Sequence, residues 1–440
     1  MKNILLSLLM ASSFFKAQTS INVFSQIVFY DGYAANVSQP VPANTIRLAN
    51  SRYTRKLTDA ELNSFQNKIQ MNVTIGALCD NYDRIGGVHI ALVPKGQASY
   101  TMSDTQVKRF EVGRYITPFM NKNLSPTEAP YTYNVDNLYP VFSNVALRAA
   151  YDIWVELDVF GVPYAANTQV AGCSGRNDVF AGTLTFVTSN DPTINNNFNT
   201  ILPLLDSNSL NNYNNTDVSG QTVRLVNFNL TQTAANPKFF IVTTPHGAGT
   251  NGEEYVRRQN LVSLDNTQVL TFTPGGKSCE PYRMYNTQTN GIYGNYAQST
   301  SWWTSWNNWC PGDAVPIRTF SVTSLSAGSH TIKYEVPSAV FYNQDGQIVL
   351  SMYMQSLGQN LSVKDVATTD VSIYPNPTAD YVTVKGQKKV KLISVFSTDG
   401  RKLFETTESK ADLTAYPAGV YVLDIILEGG IRFTHKVIRK

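Results

Sequence analysis

Charge is what this 440-residue chain has least of: Asp, Glu, Lys and Arg make up 15% of it, and the formal net charge is +3. Binding to DNA or RNA needs a clustered basic surface that displaces counterions, so nucleic acid is excluded as a partner. Histidine is scarce too. His89, His246, His330 and His435 stand singly, which argues against a metal centre and leaves a lone His246 as a structural hydrogen-bond partner. The four cysteines (Cys79, Cys173, Cys279, Cys310) include no Cys-x-x-Cys, so zinc and thioredoxin chemistry are not expected. The Gly-rich stretch Thr243 to Asn251 is not followed by Gly-Lys-Ser/Thr, which excludes a nucleotide cradle. Long apolar runs are also missing. Beyond the N-terminus none reaches the roughly 18 residues of a membrane-spanning helix. No cofactor is expected, and a monomer is.

The N-terminus pairs a basic start, Met1-Lys2-Asn3, with a short apolar run, Ile4 to Ala11. It reads as a secretory signal over residues 1–18, cut near Ala17 or Gln18. Export permits disulfides, and four cysteines can pair in three ways. Cys279 and Cys310 flank one aromatic loop, which favours that pair and leaves Cys79 with Cys173. The far end carries Tyr374-Pro375-Asn376-Pro377, Thr398-Asp399-Gly400-Arg401 and Pro417-Ala418-Gly419-Val420-Tyr421. Alternating apolar residues broken by such turns predict a small β-sandwich. The three motifs closely resemble, in order, the C-terminal sorting domain of the Bacteroidetes type IX secretion system. That resemblance implies the type IX machinery as a partner, and a secreted or cell-surface protein exported through the periplasm of a Gram-negative bacterium.

Between these ends the pattern is β. From Lys68 to Leu78, Ile69, Met71, Val73 and Ile75 alternate with polar residues, the signature of a half-buried strand. One short helix is expected at Leu57–Leu62, where Thr58 and Glu61 form a capping box. A seam between Thr188 and Asn199 separates domains at 19–190 and 191–357, followed by a linker and sorting domain at 358–440. Val145 to Phe160 reads as one long strand. Its odd positions are apolar, and its even positions place Asp152, Trp154, Glu156 and Asp158 on one face, either solvated or a sugar platform beside acids. Tyr82-Asp83-Arg84 sets an acid beside an arginine at the mouth of a strand: a surface ion pair, or an acid that does chemistry. The loop from Cys279 to Cys310 holds Trp302, Trp303, Trp306 and Trp309 among polar residues, which favours a binding surface.

Cys79-Asp80-Asn81-Tyr82-Asp83-Arg84, Gly113-Arg114-Tyr115-Ile116-Thr117-Pro118, Leu147 to Trp154, Gly252-Glu253-Glu254-Tyr255 and Trp309-Cys310-Pro311-Gly312-Asp313-Ala314-Val315-Pro316 together resemble the peptide-N-glycosidase F family. The resemblance implies an all-β fold, two adjacent eight-stranded jelly-roll sandwiches with the sorting domain appended. It also implies hydrolysis of the amide joining N-linked glycans to asparagine in glycoproteins or glycopeptides, without a metal. By motif, the principal catalytic aspartate falls on Asp83, the essential glutamate on Glu254, and a further family glutamate on Asp152. Arg84, Trp154, Tyr255, Arg258, Trp306 and Trp309 are the substrate-binding candidates. Asp152 is one methylene shorter than the family's glutamate, and Trp306 stands where the family has an arginine. The competing class is a secreted glycan-binding protein without turnover. A copper monooxygenase acting on peptides would need His and Met ligands that this chain does not group.

Overall fold

The computed structural model describes residues 18–210, 222–247, 252–288, 292–305, 307–341, 346–357, 371–386, 388–397, 401–428 and 432–440. The expected signal segment up to residue 17, the linker 358–370 and Trp306 lie outside the described residues.

Period-two alternation builds the first sandwich. In the strand Lys68–Ala77, Ile69, Met71, Val73 and Ile75 are completely buried while Lys68 and Gln70 stay in water. Each such aliphatic group withdrawn from water is worth about 1.5–3 kcal/mol. This strand lies between Asp178–Ser189 and Glu128–Asn134, and Thr19–Tyr30 closes the four-stranded sheet. The facing sheet is six-stranded, in the order Ala314–Val315, Lys108–Ile116, Ile85–Pro94, Tyr151–Val159, Arg52–Lys56, Thr45–Ala49. Its inward residues Val88, Ile90, Phe110, Val155 and Leu157 meet the first sheet in one apolar core. The Thr58 capping box forms as expected and opens a helix at Asp59–Ser64. That helix ends at Phe65, whose ring packs on Phe142 and Phe186.

Val145 to Phe160 is not one strand. Val145–Ala150 is a short helix capped by the Asn144 side chain, and the strand begins at Tyr151. Val-Ala-Leu-Arg-Ala-Ala consists mostly of good helix formers, and the alternation expected there has no sheet to face: Val145 is 80% exposed.

The second sandwich has a large sheet in the order Thr200–Leu210, Gln347–Leu357, Ala234–His246, Arg318–Ser321, and a four-stranded sheet containing Asn260–Leu264 and Thr267–Phe272. Apart from 227–233 and 326–330, both sandwiches fall in one compact unit. The outer face of the six-stranded sheet is covered by the large sheet of the second sandwich. Arg114 Nη1 donates to Val349 O at 2.7 Å and to Thr244 Oγ1 at 2.9 Å, while Glu111 holds the same guanidinium. The polar face expected to be solvated or sugar-binding is therefore largely covered: His89 links Asp158 to Asp206 of the second sandwich, and Tyr100 and Arg109 cover Glu156. The short strand Ala314–Val315, from the second half of the chain, adds to the edge of Lys108–Ile116.

The other compact unit is built chiefly on the C-terminal residues. Two small sheets enclose Val382, Val384, Ile393, Val395, Leu423 and Ile425, the sandwich expected from the turn motifs.

Candidate active site

Asp83 stands just before the strand Ile85–Pro94, in a segment pinned on both sides. The Cys79–Cys173 disulfide fixes its start, with Cα atoms 5.5 Å apart. Arg84 does not pair with Asp83. Its Nε and Nη2 donate to Asp80 at 2.7 and 3.3 Å, and Asp80, 1% exposed, also accepts from the backbone N–H groups of Val162 and Tyr82. The backbone N–H of Arg84 donates to Thr117 Oγ1 at 2.7 Å. Arg84 is thus anchored and lies over the Tyr82 ring, while the half-buried Asp83 carboxyl is left for other work.

Glu254 sits on a turn of the second sandwich, where the backbone N–H of Gly247 donates to its Oε2 at 3.2 Å. Burial first, and the negative charge of Glu254 second, push the Asp83 carboxyl well above its ordinary value, against the opposing pull of Arg84. The Tyr255 phenol is pushed up by burial and by its hydrogen bond to Glu254. Arg258 is committed to Glu253, which it meets through two bonds of 3.1 Å.

Trp309 is buried at 8% exposure, and its indole N–H donates to Pro245 O at 2.9 Å. Its ring lies 5.5 Å from that of His246, which burial and Arg114 lower to about 3, so His246 is a neutral spacer. The Cys279–Cys310 disulfide forms. Within its loop Trp303 is wholly buried with its indole N–H on Glu280, whereas Trp302 and Tyr296 are 38% and 72% exposed. A small cavity beside Glu254 is walled by Tyr255, Trp303, Trp309 and Cys279. A roomier depression lined by Asn195, Asn197, Phe198 and Leu357 carries no titratable side chain and offers no acid or base.

Two expected site residues lie elsewhere. Asp152 pairs with Val93, at the opposite end of the strand that Asp83 precedes, so at 3.4 Å per residue the two are separated by about 27 Å. Its carboxylate is held by Lys95 at 2.9 Å, Lys56 at 3.4 Å and the Gly96 N–H at 3.0 Å. Trp154 is 4% exposed and packs edge-on against Tyr100, so it presents no face to a sugar. Asp80, Asn308 and Glu280 organise the region and were not singled out from the sequence. Asp80 does stand four residues before Arg84, and Asn308 directly precedes Trp309-Cys310-Pro311-Gly312.

One group of metal-ligating side chains comes close together among the described residues: His89, Glu111 and Asp206. Each is already engaged. His89 spans Asp206 at 2.6 Å and Asp158 at 2.9 Å, and Glu111 holds Arg114.

The N-terminal profile of peptide-N-glycosidase F matches residues 20–174, and its C-terminal profile matches 212–355. The chain belongs to the peptide-N-glycosidase F family. A third profile, that of a secretion-system C-terminal sorting domain, matches 372–440, so this family member is addressed for export. A solved structure of PNGF-II aligns at 19% identity and a TM-score of 0.59, covering 77% of this chain and 65% of its own. A peptide-N(4)-(N-acetyl-β-D-glucosaminyl)asparagine amidase structure aligns at 15% identity and a TM-score of 0.50, covering 78% of this chain and 97% of its own. These likenesses establish the fold. This chain spans about two thirds of the PNGF-II chain. Comparison of the sequence with curated proteins finds no match.

Proposed function

We propose that this protein hydrolyses the glycosylasparagine amide of N-glycoproteins or glycopeptides, releasing the glycan as a glycosylamine and leaving aspartate in place of asparagine. Asp83 and Glu254 carry the chemistry. What supports this reading is the placement of the Asp83 carboxyl: half-buried, and near enough to Glu254 that burial first and the charge of Glu254 second push its proton affinity upward, as a general acid requires. Neutral Asp83 then donates its proton to the departing amide nitrogen as the C–N bond breaks. Ionised Glu254 takes a proton from the water whose oxygen adds to the carbonyl carbon. Atoms balance: water supplies the hydroxyl of the new carboxyl group, Asp83 supplies the proton of the released amine, and the proton taken up by Glu254 passes back to Asp83 to restore the pair.

Arg84, fixed by Asp80, keeps a positive charge beside Asp83 and faces substrate with its remaining N–H groups. Trp302 and Tyr296 supply exposed aromatic faces on the loop next to Glu254, suited to stacking on sugar or peptide. Asp152 and Trp154 have no part in this scheme. The sorting domain directs the protein through type IX secretion to the cell surface or the medium, where folded and partly folded glycoproteins are met.

The test is incubation of the purified protein with a denatured N-glycoprotein, reading glycan release together with Asn-to-Asp conversion at the attachment site. Asp83→Asn should lower the rate by at least about 100-fold. Release at a near wild-type rate by that variant, or binding of glycopeptide without any release by the wild type, would refute the assignment in favour of a glycan-binding protein.

A further inference from the structure

Glu254 lies on a turn rather than in a strand, so no sheet ladder fixes it. Arg258 and the Val340 N–H hold the Glu253 side chain, and one side chain from a different part of the chain grips the backbone of the turn itself. Asn308, 6% exposed, directs its amide nitrogen at three carbonyl oxygens of that turn: Glu253 O at 2.8 Å, Glu254 O at 2.8 Å and Val256 O at 3.3 Å. The orientation of the amide follows from its surroundings, because the flipped rotamer would set the carboxamide oxygen against three acceptors. The next residue, Trp309, ties its indole N–H to Pro245 O at 2.9 Å, on the strand leading to Gly247, whose N–H holds Glu254 Oε2. Cys310 follows and is locked to Cys279.

Resting on the hydrolytic reading above, we propose that Asn308 is the positioning residue of the site, clamping the turn that aims Glu254 at Asp83. It touches neither substrate nor reacting atoms. It acts through Glu254, and Trp309 steadies the other stem of the same segment. An amide suits this place because it supplies donors without charge. The pair it serves is already faced by Asp80, Arg84 and Tyr255, and a further carboxylate there would upset that balance of charge. Asparagine is also short, so its donors stand at a fixed height above its own backbone, which is fixed in turn by the disulfide.

The test uses the full chain with Asn308→Ala, Asn308→Asp, Glu254→Gln and the double variant Asn308→Ala/Glu254→Gln. Three quantities are read: thermal unfolding, kcat and KM on a glycopeptide, and the titration of the Asp83 carboxyl by 13C NMR with Asp83→Asn as the assignment control. A displacement of about 1 Å at a reacting group costs on the order of 100-fold, so Asn308→Ala should lose about 10- to 100-fold in kcat with KM within about threefold. Its Asp83 midpoint should move down as Glu254 drifts away. On top of Glu254→Gln, the same substitution should cost nothing further in kcat. Independent, multiplying losses in the double variant would overturn the proposal, as would unchanged kcat in a folded Asn308→Ala. Where Asn308→Ala fails to fold, Asn308→Ser retains one donor and should show an intermediate kcat loss; a wild-type rate there overturns the proposal equally. Absence of glycan release by the wild type would instead sink the hydrolytic reading. The NMR arm then still judges the clamp, since an unmoved Asp83 midpoint in Asn308→Ala refutes it without any turnover.

Discussion

Replacing His89 with leucine should loosen the seam between the two sandwiches, and its size can be worked out from the seam itself. The imidazole is 1% exposed and bridges Asp158 on its own sheet, at 2.9 Å, and Asp206 on the second sandwich, at 2.6 Å, with Arg52 held to Asp158 at 3.3 Å. Burial works against the imidazolium, but the two aspartates overcome it and raise His89 from 6.5 to about 10. That change corresponds to about 5 kcal/mol. Seen from the other side, burial opposes the Asp206 charge while His89 favours it, and that carboxyl falls from 3.8 to about 2, which corresponds to about 2–3 kcal/mol. The two figures describe one interaction and are not summed. They bracket the cost of about 3–5 kcal/mol expected when one partner of a buried ion pair is removed.

The pH dependence follows from the sign of each change. A histidine raised on folding contributes fully below its unfolded value of 6.5 and loses that contribution as pH climbs through about 10. Asp206, lowered on folding, contributes above 3.8 and loses it as pH falls through about 2. The seam is therefore strongest between these windows. Urea unfolding followed by tryptophan fluorescence should separate wild type from His89→Leu by about 3–5 kcal/mol near pH 6 and by only about 1 kcal/mol near pH 9.5. A gap under about 1 kcal/mol near pH 6, or one that does not shrink at high pH, would show that the imidazolium does not hold the seam.

Two further outcomes separate the proposed site from its surroundings. Asp152→Asn should leave glycan release within about twofold of wild type and cost about 1 kcal/mol in stability, because Lys56 and Lys95 are about half exposed and water screens their pull; a loss comparable to that of Asp83→Asn would restore Asp152 to the catalytic group. Asp83→Asn should unfold at a higher temperature than wild type at pH 7–8. A carboxyl raised on folding loses stability as pH rises from its unfolded value of 3.8 through the folded one, and the neutral amide escapes that loss. Parallel melting temperatures across that range in both proteins would remove the evidence that Asp83 is held neutral.

How much of this was legible beforehand depends on what a pattern in the sequence can encode. Alternation at Ile69, Met71, Val73 and Ile75 identified a buried face because burial of that face is what the pattern records. The Thr58–Glu61 capping box identified a helix start for the same reason: both partners lie within one turn. Alternation at Asp152, Trp154, Glu156 and Asp158 correctly put them on one face but could not say what covers it. The cover is a second sandwich and the Tyr100 and Arg109 side chains, all remote in sequence. Nor does spacing tell which end of a strand a residue occupies relative to a neighbouring strand. An antiparallel pairing carries Asp152 to Val93 rather than to Ile85, and that decides whether it can meet Asp83. Arg84 has two acids among the four residues before it, Asp80 and Asp83; burial of Asp80, invisible to composition, selects it over the adjacent Asp83.

A connected set of bonds, rather than the shape of either sandwich alone, ties the segment that carries Asp83 to the turn that carries Glu254. Arg84 N–H binds Thr117 Oγ1, and the neighbouring Ile116 exchanges backbone bonds with the Trp-Cys-Pro-Gly-Asp element: Gly312 N–H donates to Ile116 O at 2.9 Å and Ile116 N–H to Asp313 O at 3.1 Å. Immediately upstream in that element, Asn308 grips the Glu254 turn. The segment Asn308 to Val315 is thus bonded at one end to the turn carrying one carboxyl and at the other to the strand edge beside the other. This accounts for a two-residue strand, Ala314–Val315, pairing across to the first sandwich, where so short a strand has little stability of its own. Its value lies in register. A slip of one residue along Lys108–Ile116 would shift everything upstream by about 3.4 Å, well beyond the roughly 1 Å misplacement that already costs a reacting group on the order of 100-fold.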